Sequence, residues 1–99
     1  MAPHPPPCSA NEVLWGNTCY PRIDTFRVEK VGADFKFILE NVPGDLLPHL
    51  ADKAGDQAEV LVKKAGPAFG VTINSVPQED ATGLLKQLQP DDPNVKLPD

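Results

Sequence analysis

Two short runs carry the period of a β-strand, and they constrain this chain more than any other feature. Phe35, Phe37 and Leu39 alternate with Lys36 and Glu40, and Phe69, Val71 and Ile73 alternate with Gly70, Thr72 and Asn74. Successive side chains of a strand point to opposite faces, so each run describes a strand with one face in a core. Both therefore need an apolar cover on one side. Two helical stripes are available to supply it. Leu46, Leu47, Leu50, Ala51 and Ala54 fall on one face of a helix that Asp45 would cap and Gly55 would end, with Pro48 tolerated near its start. Ala81, Leu84, Leu85 and Leu88 form the stripe of a second helix, announced by Ser75 and Pro77 and stopped by Pro90. Glu79 and Asp80 stand in its first turn, where the helix dipole favours negative charge.

Three further segments complete the order. Thr25–Val31 is β-like and is joined to Phe35–Asn41 through the short Gly32-Ala33-Asp34 connection of a hairpin. Glu59–Lys64 is read as a strand on Val60 and Val62, although Ala58, Leu61, Lys64 and Ala65 would also suit a helix. Asn94–Leu97 supplies a short last strand. The expected class is α+β, with core order β-α-β-β-α-β preceded by one additional strand.

Residues 1–22 lack a sustained period. They read as a Pro-rich extension closed by a loop between Cys8 and Cys19, with Leu14, Trp15 and Tyr20 available to pack, ahead of a binding domain at 23–99. Gly16-Asn17 supplies a turn that would return the chain, so a Cys8–Cys19 disulfide is expected. Such a bond implies an oxidising compartment, hence a secreted or periplasmic protein, although MAPHPPPC has none of the features of a signal peptide. His4 and His49 have neither metal-finger spacing nor a common element, so no metal site is expected.

Charge and size narrow the function. A formal net charge of -5 with nine scattered Lys and Arg argues against a nucleic-acid partner, which needs focused basic residues. No apolar run approaches a membrane span. No nucleophile stands with a base, no phosphate-binding glycine loop is present, and Ser9 and Ser75 lie in no nucleophile motif. His49 reads as a solvated surface histidine. Glu79-Asp80 and Asp91-Asp92 read as dipole compensation and solubility. The sequence points to a non-enzymatic domain without a cofactor that binds another protein.

From Phe35 onward the chain resembles the propeptide-like inhibitors of subtilisin-type serine proteases. FKFILENVPGDLLPHLADKAG is similar to the family's opening strand and first helix. AFGVTINSVPQEDATGLLKQL is similar to its later strand and helix, with Phe69 and Gly70 in inverted order, and PNVKLPD to its closing strand. The resemblance implies a ferredoxin-like fold and a role as inhibitor or folding chaperone of a subtilisin-type protease. The sheet would pack on two surface helices of the enzyme, and the tail Asn94, Val95, Lys96, Leu97, Pro98 and Asp99 would lie extended in the substrate cleft, adding a strand to its edge. The chain departs from the family in its extra strand, its cysteine loop and its short tail. Two other readings compete. One is a structural or assembly subunit that grips neighbours with its Pro-rich arm; the other is an adaptor similar to the ribosomal stalk C-terminal domain, which requires Glu59–Lys64 to be helical.

Overall fold

A computed structural model of the chain describes residues 8–90, 92 and 94–98. Its elements run β1 (Glu12–Trp15), β2 (Thr18–Pro21), β3 (Phe26–Val31), β4 (Asp34–Val42), a single 3-10 turn (Gly44–Leu46), α1 (Leu47–Ala54), β5 (Glu59–Ala65), β6 (Ala68–Val76) and α2 (Gln78–Leu88). β1 and β2 pair as a separate two-stranded sheet, and the other four strands form an antiparallel sheet in the order β3-β4-β6-β5. Because β4 and β5 are both antiparallel to β6, they run parallel to each other with β6 between them.

All three hairpins turn through two residues of which the first is glycine. Gly16, Gly32 and Gly66 take φ values of 63°, 64° and 66°, and the residue after each keeps a negative φ. That combination favours the right-handed twist of the flanking strands. Glu59–Ala65 is a strand throughout, paired with β6 from Glu59↔Asn74 to Ala65↔Ala68, which removes the stalk-like adaptor reading.

The alternation that marks β4 and β6 is interrupted once in each. Register shifts fall between Phe35 and Phe37 and between Leu39 and Val42, and the two non-glycine residues with positive φ among the described residues, Ser75 (61°) and Asn41 (57°), lie at these places. An extra residue in one strand reverses the alternation beyond it. Thus Val42 and Val76 return to the core although each lies three positions past a buried residue, Leu39 and Ile73. Ser75 is therefore a bulge residue of β6 and not the cap of α2, whose N-cap is Pro77 without a side-chain hydrogen bond. Asp45 likewise caps nothing; it lies within the 3-10 turn, and Leu46 holds the N-cap position of α1.

Both helices cover the same face of the sheet. Leu46, Leu50 and Ala54 on one side and Ala81, Leu84 and Leu88 on the other join Phe37, Leu39, Val71 and Ile73 in a single core. Ala51, expected on the buried stripe, is exposed, because Leu46, Leu50 and Ala54 span the contact face without it. Gly55 ends α1 at φ 92° and ψ 168°, a backbone region open almost only to glycine, and a Cβ there would stand 2.5 Å from Asp80 Oδ2 on α2. Gly55→Ala is expected to cost about 1–3 kcal/mol, read as a lower midpoint in chemical denaturation.

The stretch expected to be an extension contributes to this core. Val13 and Trp15 of β1 are buried in it, as is Ile23. Leu14, expected to pack, points outward instead and is 53% exposed, because strand alternation places it opposite Val13 and Trp15. Gln87 of α2 donates a side-chain hydrogen bond to the Leu14 carbonyl, tying the hairpin to the second helix. The Cys8 and Cys19 sulfurs lie at disulfide distance, 2.08 Å. The expected last strand does not form: Asn94–Leu97 is irregular, and β3 rather than a closing strand holds the edge beside β4. No helix among the described residues is long and apolar enough to cross a membrane.

Candidate functional site

With both helices on one face, the opposite face of the four-stranded sheet has no described element over it. Register defines what that face presents. Arg27 pairs with Ile38, Ile38 with Thr72 and Thr72 with Leu61, giving one row across all four strands. Its inward-facing neighbours form the core rows, such as Val28, Phe37, Ile73 and Val60. Leu61 is 51% exposed, and Ile38 and Thr72 are half-buried only by their neighbours in the sheet.

Two shallow depressions meet at Ile38 and Glu40. One, of about 290 Å³, adjoins Thr25, Phe26 and Arg27; the other, of about 230 Å³, lies between Ile38, Leu61, Gly70 and Thr72. Gly70 forms part of the floor of the second. Its backbone does not need glycine, and a Cβ there would meet only Lys63 O at 3.9 Å and Leu39 O at 4.0 Å, which is ordinary contact. The missing side chain thus opens the face without being required by the fold. Charged residues surround this apolar floor. Arg27 Nε lies 3.4 Å from Glu29 Oε2, and Glu59 accepts a hydrogen bond from Asn74 Nδ2 at 3.4 Å. An apolar centre with a polar rim is the usual anatomy of a protein-binding patch.

The tail is placed on the other side of the molecule. Val95 and Leu97 are half-buried against the core, and they line a cleft of about 340 Å³ with Lys30, Phe35, Leu85 and Pro98. Asn94 and Lys96 are exposed, and the Asn94 N–H donates to Asp92 Oδ1 at 2.9 Å. Asp99 lies outside the described residues. The expected extended tail is therefore folded back, because its alternate apolar residues find the gap between β3 and α2.

His49 is not the solvated histidine expected. It stands half-buried on α1 against the hairpin, its ring centroid 6.4 Å from that of Trp15 and 5.6 Å from that of Tyr20. Such aromatic spacing is attractive, so the histidine helps seat the hairpin. Among the described residues no group of three or more His, Cys, Asp or Glu is arranged to hold a metal ion, and no buried side-chain polar atom lacks a hydrogen-bond partner. His4 and Asp91 lie outside the described residues.

The resemblance implies contact through the sheet but names none of the residues on its open face, although the sequence carries a signal for two of them. Ile38 takes the slot between Phe37 and Leu39 where alternation calls for a polar residue, and Leu61 does the same between Val60 and Val62. Together with the strand order, these two apolar residues in polar slots make one contiguous apolar strip on the open face. No family model, no curated protein and no solved structure matches the chain.

Proposed function

We propose that this chain is a non-enzymatic protein-binding domain that docks through the open face of its sheet, as a propeptide-like inhibitor or folding chaperone of a subtilisin-type serine protease. The row Arg27, Ile38, Thr72 and Leu61 is the observation that supports this reading, since the resemblance places the enzyme's surface helices against that face. The order β4, α1, β5, β6, α2 suits a ferredoxin-like fold, with β3 in place of a closing strand. The cysteine pair at disulfide distance is compatible with an extracellular location and accords with a secreted protease as partner.

In this reading affinity and inhibition reside in different parts. The sheet face holds the partner, while the tail Asn94–Asp99 enters the cleft after Val95 and Leu97 leave their own domain. Leu97 and Pro98 are its apolar groups nearest the end. Inhibition therefore sets in more slowly than binding.

Two variants test the proposal against a subtilisin-type protease at micromolar concentration. Gly70→Val fills the floor of the face with a residue that suits a strand, so it is expected to unfold no more easily than the parent and yet to lose the complex. Removing Asn94–Asp99 is expected to end inhibition while leaving measurable binding to the inactivated enzyme, assayed well below the variant's own unfolding temperature. The proposal fails if the intact protein neither slows the protease nor co-elutes with its inactivated form, and the assembly-subunit reading then takes its place.

A further inference from the structure

Strand β5 is an edge of the sheet: β6 pairs with one side of it, and no described strand pairs with the other. Edge strands expose a row of unpaired backbone N–H and C=O groups, and proteins usually blunt them with proline, bulges, short length or charged side chains. Of these β5 has only charge, Glu59 and Lys63 on the open face and Lys64 on the helix face. It runs seven residues without proline, in unbroken register with β6. It also exposes large apolar side chains on both faces, Leu61 at 51% outward and Val62 at 46% on the helix side.

From Glu59 to Lys63 the order of residues along this edge is symmetric in chemistry about Leu61. On the open face Glu59 and Lys63 flank it at equal distance, one acidic and one basic. On the helix face Val60 and Val62 flank it in the same way. A second β5 laid antiparallel across a twofold axis through Leu61, perpendicular to the sheet, sets Leu61 against Leu61, Glu59 against Lys63 twice, and Val60 against Val62 twice. Directly opposed residues of antiparallel strands share a face, so every one of these pairs can touch. Moving the axis to Val62 instead sets Leu61 against Lys63 and Glu59 against Ala65. Moving it to Val60 sets Glu59 against Leu61 and Lys63 against Gln57. Among these axes only the one at Leu61 sets opposite charges against each other, and its one mismatch, Ala58 against Lys64, falls at the ends of the paired stretch. The side chains are free to take part: Lys63 sits opposite Gly70, which offers no side chain to hold it, and Glu59 keeps one carboxylate oxygen beyond its bond to Asn74.

We propose that two copies of this chain associate through β5 about an axis at Leu61, joining their sheets into one continuous sheet with all four helices on the same side. The dimer leaves the Gly70 depression of each copy facing the same way, so it places two binding faces side by side. It does not depend on what those faces bind.

Sedimentation equilibrium between about 10 µM and 1 mM tests it. The parent chain is expected to show a monomer–dimer equilibrium in this range. Glu59→Lys and Lys63→Glu each place two like charges across the axis, and each alone is expected to raise the dissociation constant by roughly tenfold to a hundredfold. Mixed in equal amounts, the two variants are expected to associate again, because in the mixed dimer both cross-axis pairs are of opposite sign. Both positions are exposed, and unchanged unfolding curves verify that each variant is folded. A parent chain that stays monomeric throughout, a dimer indifferent to either substitution, or a mixture no tighter than its components overturns the proposal.

Discussion

Trp15→Ala is expected to destabilise the protein by about 3–5 kcal/mol, a large share of the roughly 5–15 kcal/mol that holds a domain of this kind together. Trp15 is 2% exposed and its ring meets that of His49. The hairpin that carries it has a hydrogen bond from Gln87 and its own disulfide, yet neither replaces the volume of an indole in the core. Leu14→Ala, one position away on the outward face, is expected to change stability by no more than about 0.5 kcal/mol. The comparison is the test. Thermal unfolding should separate the two variants by well over 10 °C, and equal midpoints would mean that the hairpin is an ornament and not part of the domain.

Leu50→Ala and Leu88→Ala are each expected to cost about 2–5 kcal/mol. Leu50 is fully buried and Leu88 is 2% exposed, and each lies on the sheet-facing stripe of its helix. Ala51, adjacent to Leu50 but turned to solvent, gives the control: Ala51→Ser should move the denaturation midpoint little. In urea the leucine variants should lose midpoint at nearly constant slope, since the surface exposed on unfolding hardly changes. Leucine variants as stable as the parent would show that the two helices meet the sheet along other faces.

These expectations rest on elements whose period is long enough to read. Phe35, Phe37, Leu39, Val71, Ile73, Leu50, Leu84 and Leu88 are all buried as their spacing implies. Where period fails, a local event that composition does not record has intervened. The bulges at Asn41 and Ser75 each add one residue, so Val42 and Val76 appear out of phase although both are in the core. Ser75 looked like a cap because serine before proline and a helix usually is one, whereas it takes a left-handed conformation inside a strand. The hairpin at 12–21 has strands of four residues each, too short for alternation to declare which of Val13, Leu14 and Trp15 is inside. The candidate surface was legible only as two apolar residues in polar slots, Ile38 and Leu61. Their alignment through Thr72 is a matter of strand order, which no single segment contains.

The placement of β6 between β4 and β5 has a consequence for a chain made from its N-terminus. β1 with β2 and β3 with β4 are neighbours in sequence and close as soon as each pair exists. Among the described residues β5 has no strand partner that precedes it; its neighbour is β6, which comes after. The pair Phe35↔Val76 closes a long stretch of chain, and α1 must wait for that closure before its sheet-facing side has a complete surface to rest on. Until Val76 has been added, the growing polypeptide therefore displays the apolar side of a two-stranded ribbon and an unsheltered EVLV segment. Such a partner-less edge is what holding factors grip and what sticks to its like, so the interval between synthesis of β5 and synthesis of β6 is when this protein is most exposed to misassembly.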